Sequence, residues 1–290
     1  MAILVTGASG VIGSQVLSFL KPQAVEIRAL TRSPETANFP AGVTAVKGDL
    51  SDVEGFRAAL EGVSTLFLLG PNVADESTQV LLALNAARDA GVKGVVYLSV
   101  FKAGDYADLP HFASKAAVER MIEAYDLPVT VLRPAYFMQN DVRLREALLT
   151  YGVYGMPIGG KGLSMIDIRA IGEAAAGELM RRETADGPLP REAYDLVGPD
   201  ALTGDDLAAL WGEVLGRPIA YGGNDLEAWE RNVKAVAPAW YVYDLKLMMR
   251  RYQQQGALAS AAQVGRMEAL LGHPARTYRG FAEEAAASWK

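Results

Sequence analysis

The sequence predicts an α/β fold in which a doubly wound parallel sheet is followed by a smaller, mostly helical C-terminal domain. Short runs of β-branched and other apolar residues alternate with longer helical patterns from the N-terminus onward, which is typical of strands joined by crossover helices. The strands read as continuous runs in which apolar residues predominate, as parallel strands covered on both faces require. The alternation ends after Pro134, and the part of the chain beyond it carries all four tryptophans.

The elements of the sheet domain follow in chain order. Strands are predicted at Ala2–Thr6, Val25–Leu30, Val43–Lys47, Thr65–Leu69, Val95–Ser99 and Val129–Arg133. Helices are predicted at Val11–Leu20, Asp52–Leu60, Glu76–Ala90 and Phe112–Tyr125. Pro22 stops the first of them, because a proline ring does not fit inside a helix. Later elements are a short strand and an Ala-rich helix within Ser164–Met180, a strand at Ala193–Val197, and a helix from its N-cap Thr203 to Leu215.

Two domains are predicted from this arrangement. Residues 1–150 form the sheet domain, and residues 164–198 return to it because the strand and helix patterns resume there. Residues 199–290, together with the Gly-rich loop 151–163, form a smaller domain that faces the substrate or a partner.

Composition and charge exclude several kinds of function. The 290 residues are 50% hydrophobic and 21% charged, which is ordinary for a folded protein. The sequence has no cysteine, and its two histidines, His111 and His273, lie far apart, so we predict no disulfide and no metal site. Acidic residues outnumber basic ones by 34 to 28, for a net charge of −6, and direct nucleic-acid binding is not expected.

Signals of membrane insertion and export are missing from the sequence. No apolar stretch approaches the length of a membrane-spanning helix. No basic segment precedes the first apolar run, and a glycine follows almost at once, which is unlike a secretory signal. We therefore expect a cytoplasmic protein without a membrane partner, as a monomer or homodimer.

A glycine motif directly follows the first predicted strand and opens the first helix. Its residues, Thr6-Gly7-Ala8-Ser9-Gly10-Val11-Ile12-Gly13, have the spacing GxxGxxG. A turn without side chains lets the backbone approach a pyrophosphate, and a helix N-terminus supplies N–H donors. A purely structural tight turn is the alternative, but the strand-to-helix context is the one that dinucleotide binding requires. We predict a Rossmann-type domain whose cofactor contacts are Gly7, Ser9, Gly10, Val11, Ile12 and Gly13.

The end of the second predicted strand indicates which dinucleotide binds. An acidic side chain at this point holds the ribose hydroxyls of NAD(H), whereas a basic one accepts the 2′-phosphate of NADP(H). The sequence here is Leu30-Thr31-Arg32, without an acid. Because a guanidinium pairs with phosphate at two points, Arg32 favours NADP(H) over NAD(H). The alternative is a solvated arginine at a strand end.

Two further strand ends are predicted to contact the cofactor. After the third strand, Asp49 can accept from the adenine amine while Leu50 packs on the ring, although Asp49 could equally cap the next turn. After the fourth strand, Leu69-Gly70-Pro71 is a bare segment of backbone. Such a segment suggests close approach to a ligand.

With these motifs the chain resembles the short-chain dehydrogenase/reductase superfamily, through the glycine loop, Gly48-Asp49-Leu50, Tyr97-Leu98-Ser99 and Leu132-Arg133-Pro134. Four further segments resemble its NmrA-like atypical branch: His111-Phe112-x-x-Lys115-x-x-Val118-Glu119, Arg133-Pro134-x-x-Phe137-x-x-Asn140, Ile166-Asp167-Ile168-Arg169 and Leu196-Val197-Gly198-Pro199. The resemblance covers nearly the whole chain. It implies either an NADP-sensing regulator without catalysis or a reductase of quinones, triphenylmethane dyes or phenolic ethers.

The superfamily resemblance also implies a Tyr-x-x-x-Lys pair with a nearby hydroxyl, and here the sequence departs from it. His111 stands in place of the tyrosine, with Lys115 four residues later on the same helix face. Val100 or Phe101 stands in place of the hydroxyl. Lys115 is expected to hold the nicotinamide ribose, with an ordinary surface lysine as the alternative. His111 could donate or relay a proton, or simply pack beside the cofactor where its helix begins.

Residues after the fifth and sixth strands complete the predicted site. Ser99 and Pro134 are expected beside the cofactor. Phe137 and Asn140 are expected at the nicotinamide edge, and Tyr136 offers a spare phenol that could replace the missing acid. Four aromatic residues could line a pocket for a flat, apolar substrate: Trp229, Trp240, Tyr241 and Tyr243. For Trp240 and Tyr241, placement in the hydrophobic core is an equally good expectation, and for Trp229 and Tyr243 it is the favoured one.

Two functions are weighed on this basis. The first is an NADP(H)-binding atypical short-chain reductase that transfers hydride to a small conjugated acceptor such as a quinone. The anionic product of such an acceptor is stabilised by delocalisation and needs little help from a protein acid. The second is a non-catalytic NADP(H) sensor that binds a protein partner. A sugar-nucleotide epimerase or dehydratase would fit the fold but needs the missing tyrosine.

Overall fold

The structure is a computed structural model that describes residues 2–289. Its strands are β1 (Ala2–Val5), β2 (Glu26–Thr31), β3 (Val43–Lys47), β4 (Val63–Leu68), β5 (Gly94–Leu98), β6 (Val129–Pro134), β7 (Val153–Tyr154), β8 (Glu192–Leu196) and β9 (Ala220–Tyr221). Its α-helices are α1 (Val11–Leu20), α2 (Val53–Ala59), α3 (Glu76–Asp89), α4 (Pro110–Ala124), α5 (Ile168–Thr184), α6 (Gly204–Leu215), α7 (Leu226–Val233), α8 (Ala239–Gln255), α9 (Ala261–Leu271) and α10 (Tyr278–Ser288). The predicted strands and helices of the sheet domain are all present.

Seven strands form one sheet in the order β3-β2-β1-β4-β5-β6-β8. The pairs from β3 through β6 are all parallel. From β1 the chain first builds outward to β2 and β3, and then crosses to β4 on the other side. Dinucleotides bind outside the carboxyl ends of strands at such a change of direction. The predicted doubly wound parallel sheet is confirmed.

The centre of the sheet is buried on both faces. Every residue of β1, β4 and β5 is buried, as central parallel strands covered on both faces require. On one face, α5 packs closely against α1. A Cβ added at Gly172 would lie 2.8 Å from the backbone of Gln15, so only glycine permits this approach. The Ala-rich helix α5 therefore packs directly on α1.

Two compact units make up the chain. The first comprises the chain up to Gly104, His111–Arg133 and Ile168–Tyr194. The second comprises Asp105–Pro110, Pro134–Asp167 and the chain from Asp195 onward. Each unit is thus built from separated stretches of sequence.

The second unit contains short elements that the sequence did not predict. Met138–Leu144 forms a 3₁₀-helix, and Ala147–Tyr151 forms one turn of π-helix. Strands β7 and β9 pair in parallel as a separate two-stranded sheet. Elements this short carry no readable hydrophobic period. The predicted N-cap Thr203 is confirmed, because its hydroxyl accepts from the Asp206 N–H at the start of α6.

Candidate functional site

The glycine loop joins β1 to α1 in the first unit. Gly7 has a φ of +61°, a left-handed conformation that favours glycine. A Cβ at Gly7 would lie 2.8 Å from the Leu69 side chain, and one at Gly13 would lie 2.2 Å from the Gly7 carbonyl oxygen. Ile12 and Gly13 are buried. Helix α1 can therefore begin directly against the loop only because these positions lack side chains.

The N-terminus of α1 is open to an anion. Gly10 is the N-cap, no side chain caps the helix, and the first turn contains no acidic residue. Ser9 and Gly10 are exposed, and Val11 is 67% exposed although it is apolar. The N–H groups of a helix N-terminus and the positive end of its dipole bind phosphates. The residues present thus fit the pyrophosphate of a dinucleotide.

Thr6 joins the glycine loop to the end of β4. Its hydroxyl donates to the Leu69 carbonyl oxygen at 3.0 Å and accepts from the Leu69 N–H at 2.8 Å. The loop and the segment Leu69-Gly70-Pro71 therefore lie side by side at the carboxyl ends of β1 and β4. A side chain is also excluded at Gly70 by packing, because a Cβ there would lie 2.7 Å from the Val80 side chain of α3. Sequence reasoning assigned no role to Thr6, and its only signal was its place before the first glycine.

Arg32 and Asp49 follow the neighbouring strands β2 and β3. Arg32 is exposed. Asp49 accepts from the Ser51 N–H at 2.8 Å and from the Ser51 hydroxyl at 2.7 Å. These two bonds, followed by the Arg32 guanidinium, hold the pKa of Asp49 below its usual range. Asp49 therefore caps the turn after β3, while Leu50 is buried in the core of the unit.

Lys115 lies on α4, four residues after His111 and on the same face. Its Nζ lies 2.6 Å from Oε1 of Glu76 and 3.4 Å from the carbonyl oxygen of Leu98, the last residue of β5. The ammonium is therefore at the carboxyl end of a central strand. The His111 ring packs edge-on against Phe112, with 4.5 Å between centroids. Sequence reasoning missed Glu76, because nothing local indicates a partner 39 residues away.

Ser99 is buried in a polar network of the first unit. Its hydroxyl donates to Glu119. The same carboxylate accepts from the Arg133 guanidinium at 2.6 and 3.0 Å. The network therefore joins the end of β5 to α4 and β6. At the position of the missing hydroxyl, Phe101 is buried and the Lys102 ammonium lies 5.1 Å from its ring centroid.

The predicted residues at the end of β6 and after it belong to the second unit: Pro134, Tyr136, Phe137 and Asn140. Their segment is held by backbone bonds to Ile166, whose N–H donates to the Tyr136 carbonyl oxygen at 2.9 Å. Ile166 in turn accepts from the Met138 N–H at 3.0 Å. The backbone that carries the predicted nicotinamide contacts is therefore fixed within its own unit.

Tyr136 has the environment of a weak acid. Its ring meets Tyr252 edge-on, with 6.2 Å between centroids. Burial, followed by the negative charge of Asp141, raises the pKa of Tyr136 well above its ordinary value. A hydrogen bond with Asn140 acts in the opposite direction but is the smaller effect. A phenol that keeps its proton so firmly is a poor donor at neutral pH.

Asp141 is a buried carboxyl that the sequence did not predict. It is fully buried, and its Oδ2 accepts from the hydroxyls of Tyr154 at 2.9 Å and Tyr278 at 2.5 Å. Trp211 donates from Nε1 to the Tyr278 hydroxyl at 3.0 Å. Burial raises the pKa of Asp141 from 3.8 to about 7, although both tyrosine bonds lower it. The cluster connects the 3₁₀-helix to β7 and α10.

The aromatic residues considered for a substrate pocket lie on α7 and α8. Trp240 and Tyr243 are exposed, whereas Trp229 and Tyr241 are half-buried. Core placement of Tyr243 was wrong, since its side chain is 53% exposed. The buried side of α8 is formed by residues such as Val242 and Met249, and Tyr243 lies off that side.

Residues 2–289 carry neither a metal-binding cluster nor a membrane-spanning helix. These residues contain no group of three or more His, Cys, Asp or Glu side chains arranged to hold a metal ion. None of the helices formed by them has both the length and the apolar character that spanning a membrane requires.

The parallel sheet, the glycine loop and the open N-terminus of α1 define a Rossmann-type protein. A family model places the chain more narrowly. Residues 1–280 match the NmrA-like family. The chain belongs to that family.

Proteins of known activity resemble nearly the whole chain. It is 28% identical over 289 residues to the NAD(P)H azoreductase of Xenophilus azovorans, covering 99% of both chains. It is 31% identical over 285 residues to the (4-alkanoyl-5-oxo-2,5-dihydrofuran-3-yl)methyl phosphate reductase of Streptomyces griseus, covering 97% of both. The crystal structure of the NADPH-dependent quinone oxidoreductase of Escherichia coli, complexed with NADPH, superposes with a TM-score of 0.85 at 26% identity, covering 99% of this chain and 100% of that one.

Proposed function

We propose that this protein is an NADP(H)-dependent reductase that transfers hydride to a small conjugated acceptor such as a quinone. The observation that carries the proposal is the set of proton donors at the site. Lys115 is retained at the end of β5, but His111 replaces the tyrosine and no hydroxyl stands at Val100 or Phe101. Such a site can bind and orient a dinucleotide while offering little acid catalysis.

Each cofactor contact is assigned to a group of the first unit. The glycine loop and the N-terminus of α1 bind the pyrophosphate. Arg32 pairs with the 2′-phosphate, and Lys115 donates to the nicotinamide ribose. When bound, the reduced nicotinamide supplies the hydride. The exposed Arg32 and the lack of an acid after β2 support NADP(H) over NAD(H).

The acceptor is inferred from the weakness of the available acids. Tyr136 is a poor donor because burial raises its pKa. An acceptor that keeps the added electron pair without immediate protonation is therefore favoured. A quinone meets this condition, because hydride addition gives a delocalised anion that takes its proton from solvent and becomes a hydroquinone. An azo compound and an unsaturated oxo-dihydrofuran, which relatives reduce, are conjugated acceptors of the same kind.

The relatives also bear on the sensor alternative. Three proteins that match nearly the whole chain are named as reductases or oxidoreductases. They support catalysis and give no support to a sensor without catalysis.

The test is a coupled pair of measurements on the purified protein. Loss of NADPH absorbance is followed with a benzoquinone, a naphthoquinone, an azo dye and a triphenylmethane dye, and calorimetry measures NADPH and NADH binding. A simple ketone is the matched control acceptor, since its alkoxide product needs a proton donor. We expect turnover with one or more conjugated acceptors and none with the ketone. Tight NADPH binding without turnover of any conjugated acceptor would contradict the proposal and favour the sensor.

A further inference from the structure

Glu76 and Lys115 form an ion pair that is largely shielded from solvent. Their side chains are 11% and 13% exposed, and 2.6 Å separates Oε1 from Nζ. Glu76 is the first residue of α3, where an acid stabilises the helix dipole. A helix dipole is served equally well by an exposed acid, so it does not account for a buried one. Removing two charges from water is costly, and burial of such a pair is therefore weak evidence of a role in stability alone.

The pair lies at the edge of the sheet where the cofactor is proposed to bind. Lys115 also donates to the carbonyl oxygen of Leu98 at the end of β5. On the other side, a Cβ added at Gly70 would lie 2.8 Å from Oε1 of Glu76. Gly70 follows β4 directly after Leu69, which Thr6 joins to the glycine loop. The carboxylate is therefore placed between the ends of two central strands.

The geometry leaves the lysine able to bind a ligand. An ammonium has three N–H donors. Glu76 takes one at 2.6 Å, and the Leu98 carbonyl oxygen takes a second at the long distance of 3.4 Å. The Nζ also lies 5.9 Å from the centroid of the Tyr97 ring, which closes another side. With the long side chain restrained in this way, the third donor has a defined direction.

We propose that Glu76 is a positioning residue of the cofactor site, acting through Lys115. Its carboxylate fixes the ammonium at the ends of β4 and β5, so that the ammonium meets the nicotinamide ribose without first losing side-chain freedom. This inference rests on the proposed cofactor binding. The competing explanation is that the Glu76–Lys115 ion pair only stabilises the packing of α3 against α4 and has no effect on ligand binding.

Two ligands separate these accounts. NADPH contains the nicotinamide ribose, whereas adenosine 2′,5′-bisphosphate contains only the adenine end with its phosphates. Calorimetry with Glu76→Gln should show about tenfold weaker NADPH binding, the size typical of a lost charge-assisted contact, with binding of the bisphosphate unchanged. The glutamine keeps the shape of the side chain and favours retention of the fold. In a Lys115→Gln background, Glu76→Gln should have no additional effect on NADPH, because it acts only through the lysine.

A control variant shows whether the effect is specific to Glu76. Asp89→Asn removes another α3 carboxylate, which is paired with Arg57 at 3.5 Å, and should leave both ligands unaffected. Equal weakening of both ligands by Glu76→Gln, or unchanged or tighter NADPH binding, would overturn the inference alone. Failure of the unaltered protein to bind NADPH would overturn the proposed function as well. If Glu76→Gln does not fold, Glu76→Asp carries the same expectation with a smaller effect, because its carboxylate is one methylene further from the lysine.

Discussion

In the first unit the glycine loop offers a ligand mainly backbone groups, whereas in the second unit Asp141 is held by side-chain hydrogen bonds from Tyr154 and Tyr278. A binding site made of backbone groups requires positions without side chains, because an added side chain would fill the space of the ligand. A buried polar cluster requires each of its side chains, because the loss of one partner leaves another polar group without a hydrogen bond. A substitution in the first unit should therefore change binding, and one in the second unit should change stability.

The largest effect is expected from filling the backbone site. Gly10→Glu places an anionic side chain at the N-terminus of α1, where the pyrophosphate is proposed to bind. Gly10 is exposed and has a φ of −82°, which any residue adopts, although a Cβ added there would lie 3.2 Å from the Gly7 carbonyl oxygen and requires a small shift of the loop. We expect loss of measurable NADPH binding by calorimetry, with the fold retained and at most a small fall in melting temperature.

The matched control for this variant is Gly177→Glu. Gly177 is also exposed, and a Cβ added there meets no atom within 4 Å. It lies on α5, so the substitution adds the same charge to the same unit but away from the loop. Intact NADPH binding by Gly10→Glu would show that the loop does not hold the pyrophosphate.

The second-largest effect is expected at the carboxyl of Asp141, and it tests whether the polar cluster of the second unit governs stability. The pKa of this carboxyl is about 7 in the folded protein and 3.8 ordinarily. Between these two pH values the folded state keeps a proton that the unfolded state releases. Stability should therefore fall as pH rises through this window and then level off. Asp141→Asn removes this titration, so the variant should not lose stability in the same pH range. The difference in free energy of unfolding, variant minus unaltered protein, should therefore increase by up to about 4 kcal/mol as the pH rises across the window.

Denaturant unfolding at a series of pH values measures this difference. Glu230→Gln is the control, because hydrogen bonds from Lys234 and Lys246 lower the pKa of Glu230 from 4.5 to about 2, so the stability that Glu230 contributes changes only below about pH 5. Between about pH 5 and 7 its stability curve should run parallel to that of the unaltered protein. A parallel curve for Asp141→Asn would mean that the buried carboxyl does not titrate as its surroundings indicate.

The third effect sharpens the comparison at a side chain of the first unit. Arg32→Asp removes a partner of the 2′-phosphate and adds repulsion. NADPH binding should weaken by roughly ten- to a hundredfold, and NADH binding much less. Arg57→Asp, at another arginine of the same unit with a half-exposed side chain, is the charge control. Equal weakening of both dinucleotides would remove Arg32 from the 2′-phosphate site.

The smallest effect is expected at His111. His111→Phe keeps an aromatic ring against Phe112 but cannot carry a proton. General acid catalysis is typically worth ~10²–10⁴ in rate, yet we expect only about a two- to threefold loss in kcat/KM with a quinone, because the product anion needs no acid. NADPH affinity should not change. A hundredfold loss would make His111 a catalytic residue, and Tyr136→Phe measured beside it tests the remaining phenol.

The parts of the molecule that the sequence predicts are those with local signals. Strands β1 to β6 appear as short runs rich in apolar and β-branched residues, and Gly7, Gly10 and Gly13 lie within one short motif. The N-cap Thr203 was also predictable, because its partner is three residues away. In each case the physical requirement and the residues that meet it lie close together in the chain.

The parts that escaped prediction depend on contacts between distant residues. Lys115 was assigned to the ribose, but its partner Glu76 was not seen. Asp141 accepts from Tyr278, which is 137 residues away, and no period or spacing connects them. Tyr243 was misplaced because aromatic character indicates burial only when the buried side of its helix is known.

The close packing of α5 on α1 has a consequence for biosynthesis. Helix α1 leaves the ribosome before Ile168–Thr184, and Pro134–Asp167, which belongs to the second unit, is synthesised between them. A nascent chain that ends before Ile168 therefore carries a helix whose covering partner has not yet been made. The speed of translation through the intervening residues then sets how long the sheet remains incomplete on that face.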